Sequence, residues 1–231
     1  MSLGFQWDKV ALRYRYSDTG KFVSKEAVRN LTQKAISQVG KDVETIGNLL
    51  LDKKISIQTW YDGTKEGIKL AHTWSYMLGA GGQKNLTQSD YGKIGAEVKR
   101  QDRYLRGFAE DLRQGKISEA EFWRRLNLYI DAPSNTYEIG RAAEHTKAGH
   151  LWEKRLRTKS DSCSSCIFYE LLGWRPINTL PHPGQQCQCY SNCGCYKEFS
   201  KSLTIPADSF GIQGWGWLNQ NKLLNHNSIK M

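Results

Sequence analysis

The chain has no apolar run near the length of a bilayer-spanning helix, which excludes a transmembrane segment of that kind and any membrane partner reached through one. Its first twenty residues carry Lys9, Arg13, Arg15 and Asp18 where a secretory signal would have a continuous apolar stretch. The expected place of the product is therefore the compartment in which it is made. Catalytic signatures are missing as well. None of His72, His145, His150, His182 or His226 stands four residues from another histidine, so there is no His-Glu-x-x-His helix. The deaminase pattern, the Gly-x-Ser-x-Gly elbow and the Walker loop are also absent. His145 and His150, beside Glu144, read as packed or surface histidines. The expectation is a protein that is not an enzyme.

What is present is helical patterning. Ser24 has the chemistry of an N-cap, with Glu26 in the first turn, and Val28, Leu31, Ala35, Val39, Val43, Ile46 and Leu50 recur at helical spacing. A second helix is expected from Ser56, with Trp60, Ile68, Ala71, Trp74 and Leu78 on one face and a stop at Gly79-Ala80-Gly81-Gly82. Thr87 and Asp90 form a capping-box pair ahead of Tyr91, Ile94, Val98, Leu105, Phe108 and Leu112, and Gly115 closes that stretch. Ser118 and Glu121 repeat the signature before Phe122, Leu126 and Tyr129, and Pro133 interrupts the pattern. A last helix is expected from about Ser134 towards Leu156. Upstream of all these, Val10 to Tyr16, the turn Ser17-Asp18-Thr19-Gly20 and Phe22-Val23 predict a hairpin over about 10–23.

The charge is +10, from 33 basic and 23 acidic residues. Only +2 of it lies from Lys159 onward, which leaves +8 on residues 1–158. A basic excess favours polyanionic partners through phosphate neutralisation, and here it belongs to the helices.

The six cysteines, Cys163, Cys166, Cys187, Cys189, Cys193 and Cys195, fall within 33 residues. A disulfide framework needs an oxidising compartment, and separations of Cys-x-x-Cys and Cys-x-Cys suit chelation better than cross-linking. Two thiolates three residues apart form a knuckle, and a second group some twenty residues later closes a tetrahedron around zinc. A closed four-sulfur site leaves no position for water, so the expected Zn2+ is structural. The residues alone leave the ligands open among the six cysteines and the nearby His182.

The stretches Gly149-His150-Leu151-Trp152, Ser160-Asp161-Ser162-Cys163-Ser164-Ser165-Cys166, Leu172-Gly173-Trp174, Leu180-Pro181 and Asn192-Cys193-Gly194-Cys195 resemble the C-terminal signature of phage head morphogenesis proteins, the Mu F-like minor capsid family. That pattern runs from Trp through Asp and Cys-x-x-Cys to a Leu-Gly, a proline-containing loop and His-Pro-x-Cys-x-Cys. Residues Gln101 to Leu105, Gly115-Lys116-Ile117-Ser118 and Arg124 to Tyr129 are similar to the helical part of related phage proteins. The resemblance implies Cys163, Cys166, Cys189 and Cys193 as ligands, with Cys195 close behind and Cys187 and His182 as substitutes. It also implies a minor head protein in several copies per virion, resident in the head or neck and in host cytoplasm during assembly. Its partners would be the portal or major capsid protein and, without sequence preference, packaged double-stranded DNA.

The expected architecture is mainly α: a helical body with its hairpin over 1–158, a zinc-stapled α+β lobe over 159–199, and an extended arm over 200–231 that carries Trp215 and Trp217. A zinc-ribbon regulator of nucleic acid is the rival, and it would place its basic residues on the ribbon.

Overall fold

Four serine or threonine caps start the long helices, and the computed structural model, described here for residues 4–190 and 193–203, shows each in use. Ser24 Oγ accepts from Ala27 N at the head of α1 (Lys25–Leu51), and Ser56 Oγ accepts from Thr59 N at α2 (Ile57–Gly79). Thr87 and Asp90 close a reciprocal capping box on α3 (Gln88–Arg113), and Ser118 caps α4 (Glu119–Asp131). Pro133 sits at the first position of α5 (Pro133–Lys147), where its missing N–H has no helical partner to lose. These five helices make the body.

The core of the body is aromatic. Trp60, Leu105, Phe108, Phe122 and Leu126 are fully buried. Trp60 meets Phe108 edge-on with ring centroids 5.1 Å apart, and Phe108 meets Phe122 at 5.5 Å. Such pairs are worth about 0.5–1.5 kcal/mol each beyond their burial. Two expected stripe positions are not core: Trp74 and Tyr91 are 40% and 47% exposed. The buried face of α1 instead includes Thr32 and Ile36. At the α2–α5 crossing the backbones touch. A Cβ on Gly79 would lie 2.1 Å from the Tyr137 carbonyl oxygen, and one on Gly140 2.4 Å from that of Tyr76.

The hairpin is displaced from its expected place. Strand β1 (Phe5–Asp8) pairs antiparallel with β2 (Arg13–Tyr16), while Phe22 makes a single bridge to Arg15. The turn lies at 9–12, and its chemistry comes from Asp8, whose carboxylate accepts from Val10 N and Ala11 N. Tyr14 donates its hydroxyl to Leu78 O and so fixes the hairpin on the end of α2.

The last body helix does not reach Leu156. It ends at Lys147, Gly149 takes φ +76°, and His150 N bonds back to His145 O. Left-handed backbone of this kind is open to glycine and stops a helix. Residues Trp152–Leu156 form strand β3, the middle of a three-stranded antiparallel sheet ordered β4 (Arg175–Pro176), β3, β5 (Tyr196–Ser200). Helix α6 (Ser164–Leu171) packs against β3. Strand β5 rests on α5: Lys197 N donates to Glu138, Arg141 donates to Lys197 O, and the Phe199 ring stacks on His145 at 4.2 Å. The arm, Trp215 and Trp217 included, lies outside the described residues from 204 onward.

Candidate metal centre

Three pieces of chain bring the sulfurs together. Cys163 is the N-cap of α6 and Cys166 lies in its first turn, so one helix end presents two sulfurs. Cys187 and Cys189 sit in the loop after β4, flanked by Gln186 and Tyr190, both at positive φ (50° and 43°). Left-handed backbone at non-glycine residues costs about 1–3 kcal/mol each and persists only where the surroundings hold it. Cys193 and Cys195 lead into β5, and Tyr190 N→Cys187 O and Cys193 N→Tyr190 O turns fold the loop towards α6.

The spacing of the sulfurs is that of a coordination shell. Cys166 Sγ lies 3.4 Å from Cys189 Sγ and 3.8 Å from Cys193 Sγ. Cys189 Sγ is 3.5 Å from Cys187 Sγ and 3.6 Å from Cys163 Sγ. Zn–S bonds of about 2.3 Å at tetrahedral angles put neighbouring sulfurs about 3.8 Å apart, whereas a disulfide holds them at about 2 Å. All six cysteines are free, and Cys166, Cys187, Cys189 and Cys193 have their sulfurs mutually within 4.8 Å, close enough to hold one metal ion.

Arg155 is the charge that faces the sulfurs. This residue points inward from β3, is 0% exposed, and donates Nη2 to Cys193 Sγ at 3.1 Å, Cys166 Sγ at 3.3 Å and Cys187 Sγ at 3.5 Å. Its other contacts are the Pro181 carbonyl at 3.4 Å and the Tyr169 ring face at 4.9 Å. The nearby buried carboxylates are already engaged: Glu153 holds Lys197 Nζ at 2.9 Å, both side chains at 0% exposure, and Glu138 holds Arg141 at 2.9 Å. A buried cation needs a counter-charge, and among the described residues only the sulfurs can give Arg155 one. Burial opposes its charge, but the Cys187 hydrogen bond and the Cys193, Cys166 and Cys195 charges outweigh that and raise its pKa. The Cys187 and Cys195 sulfurs, with the Arg155 charge, push the Cys193 thiol well below its usual pKa, whereas burial raises Cys166 and Cys189 and the contact with Cys193 raises Cys187 and Cys195. Without metal, Arg155 therefore favours a thiolate at Cys193, the form that binds metal.

Comparison with known proteins finds no match, neither a family model nor a curated protein nor a solved structure. The site stands on its own geometry.

Of the residues expected as ligands, Cys166, Cys189 and Cys193 belong to the close group, and Cys163 and Cys195 border it. Cys187, expected only as a substitute, is inside it. His182 is not. Its Nδ1 is buried without a partner, and burial, with the Lys197, Lys93 and Arg155 charges, lowers its pKa to about 3. At Cys163, burial raises the thiol pKa, but the Cys166 backbone and the Cys166 and Cys189 sulfurs outweigh that and bring it down to about 7.

Sequence reasoning missed Arg155. No local signal marks it, because the alternation that buries Glu153 and Arg155 between less buried neighbours appears only in the folded strand and not in its helix-forming residue types. An ion on Cys166, Cys187, Cys189 and Cys193 would be held by sulfur alone. What it can do is hold three separate chain segments together.

Proposed function

We propose that the cysteine cluster binds zinc as a structural staple, and that the protein is a non-enzymatic minor head protein of a tailed DNA phage, acting in head assembly or in handling packaged DNA. The observation that carries the zinc reading is the buried Arg155 guanidinium, which meets three sulfurs and no carboxylate. Zinc fits this donor set because thiolates at tetrahedral spacing are its usual structural shell. The phage reading rests on the resemblance of the cysteine segment to the Mu F-like signature.

The exposed chemistry of the lobe is in keeping with contact to protein. Ile167, Phe168 and Leu171 of α6 present side chains 37%, 57% and 80% exposed, and Tyr190 is 70% exposed. An aromatic and aliphatic surface suits the core of a protein interface. A ribbon that reads nucleic acid would set lysine and arginine there, which disfavours the regulator. Any DNA contact falls to the basic helices, and diffuse phosphate contacts of that sort bind at about 10⁻⁴ to 10⁻⁶ M and weaken steeply with salt.

The test is co-purification of the full chain with phage heads or portal rings, beside zinc analysis of protein purified under reducing conditions. The expected result is zinc in the protein and the chain in the particles. Protein without zinc refutes the staple. A chain that never enters particles, or that binds one DNA sequence tightly at high salt, refutes the head-protein reading.

A further inference from the structure

Helix α3 differs from its neighbours in how its charges are matched. Every carboxylate on it already has a cation. Asp90 holds Lys147 at 2.6 Å, Glu97 holds Arg100, and Asp102 holds Arg106 at 2.8 Å and Lys65 at 3.6 Å. Glu110 holds Arg113 at 3.3 Å and Asp111 holds Arg125 at 2.8 Å. The cations are not all used up in return. Lys93, Lys99 and Arg103 are exposed and make no ion pair among the described residues, and the side chains of Arg100 and Arg106 stay 44% and 67% exposed. By contrast, α1, α2 and α4 each keep exposed carboxylates without a cation, at Asp42 and Glu44, at Asp62, and at Glu119 and Asp131. We propose that the outward face of α3, from Gly92 to Gly107, binds the phosphate backbone of double-stranded DNA. The proposal rests on the DNA-handling part of the reading above and gives it a place.

The face follows from helical spacing. Gly92, Ala96, Lys99, Arg103 and Gly107 recur at intervals of three and four residues, so they form one line along the helix. Ile94, Gln101, Leu105 and Phe108, on the opposite side, are buried. Arg100 and Arg106 flank the line on its two sides, so that four cations stand within the eight residues from Lys99 to Arg106. A Cβ on Gly92, Gly95 or Gly107 would meet nothing within 4 Å, so the line is low at its ends and open to a bulky partner. From Gly92 to Gly107 the helix advances about 22 Å at 1.5 Å per residue. Over that length a duplex carries about thirteen phosphate charges.

The composition of the face selects this partner. Single strands are held by rings on which bases stack, and the exposed rings of α3, Tyr91 and Tyr104, lie off the line. A lipid surface takes a helix with an apolar face beside its cations, and here the line offers only glycine and alanine between them. Lysine and arginine on a straight element are the usual holders of duplex phosphates.

The experiment titrates the full chain, reduced and loaded with zinc, with a short duplex of mixed sequence at about 50 and 200 mM salt. Lys99→Gln/Arg103→Gln is compared with Lys34→Gln/Lys41→Gln, which removes the same charge from exposed positions of α1. In the α3 variant the slope of log affinity against log salt should shrink by about 1.8, from two lost phosphate contacts, and affinity at about 0.1 M salt should fall about tenfold or more. Arg103→Gln alone should give about half that change in slope, and the α1 variant should stay within about threefold of wild type. Circular dichroism of every variant should match the wild type, since none of these side chains is buried. Equal losses in the α3 and α1 variants overturn the proposal and leave DNA handling by diffuse charge standing. Tighter binding to a single strand or to polyglutamate than to the duplex overturns it in favour of another partner. A wild-type chain that does not bind the duplex even at about 50 mM salt overturns the proposal and the DNA-handling reading together, while entry into heads keeps its own test.

Discussion

Replacing Arg155 by Met keeps an unbranched apolar stem and removes the charged guanidinium, which isolates what the guanidinium does for the sulfurs. Three N–H···S contacts of 3.1, 3.3 and 3.5 Å are lost together. Groups that hydrogen-bond metal ligands without touching the metal typically contribute 10–100-fold to affinity, or about 1.4–2.8 kcal/mol. The metal-free state shifts the other way. Without metal most of the thiols take up protons, Arg155 is left as a buried cation with little counter-charge beyond Cys193, and Met lowers that cost. Arg155→Met should therefore bind zinc about 10–100-fold more weakly while its metal-free form is no less stable than the wild type's. Arg155→Lys, which keeps the charge and loses the fork, should fall between the two.

The assay is zinc competition against a chromophoric chelator at fixed pH, with thermal unfolding of the metal-free proteins alongside. Affinity of Arg155→Met within about twofold of wild type would refute the reasoning, because the sulfurs would then hold their charge without Arg155. A metal-free Arg155→Met far less stable than metal-free wild type would refute it too, since Arg155 would be a packing element and not a counter-ion.

Chelation should unfold the lobe and spare the body, because no cysteine contributes to the aromatic core; circular dichroism should keep most of its helical signal while trypsin cuts the 150–200 region. Gly140→Ala should destabilise by about 2 kcal/mol, since the new Cβ meets the Tyr76 backbone and an overpacking cost of about 1–3 kcal/mol outweighs the gain in helix propensity. That is a Tm loss of about 4–8 °C for a chain of this size, and an unchanged Tm would mean the α2–α5 crossing is looser than described. Asp90 is fully buried and accepts from Tyr76, Thr87 and Lys147; burial raises its pKa, but these bonds outweigh it and hold the carboxyl well below the usual range. Its contribution should be complete above about pH 5 and fall by about 1.4 kcal/mol per pH unit below about pH 4, as the unfolded chain takes up the proton first. Asp90→Asn should remove that part of the acid slope in urea titrations.

The helical body was legible because its signals are local. Ser24, Ser56, Thr87 and Ser118 each announce a helix start within four residues, and Gly79 to Gly82 and Gly115 each announce an end. The faces were less so, since Trp74 and Tyr91 are apolar and exposed, and hydropathy alone does not say which edge of a wide stripe meets a neighbour. The hairpin slipped because its turn is made by the Asp8 carboxylate and a left-handed Leu12, whereas Ser17 to Gly20 has the commoner turn composition. The cysteines pointed to a metal from spacing alone. Which of them converge was hidden, because Cys187 enters through a left-handed residue at Gln186 that nothing in its composition predicts.

Strand β3 shows why the rest could not be read locally. Trp-Glu-Lys-Arg-Leu contains good helix formers and no β-branched residue, and a helix carrying on from α5 is the reading its composition favours. It is a strand because its inward charges have partners far away in the chain: Glu153 has Lys197 Nζ and Leu180 N, and Arg155 has the sulfurs of Cys166, Cys187 and Cys193. Each partner arrives from β5, from α6 or from the intervening loop. Until those segments close, the strand would bury two charges without compensation, and that is more costly than leaving it in water. The sulfur cluster and the central strand therefore depend on one another. Charge on the sulfurs compensates Arg155 in the sheet, and the sheet delivers Arg155 to the sulfurs. Protons compete with metal for the sulfurs, so acid and chelator act on the same equilibrium and should take apart sheet and metal centre in one transition.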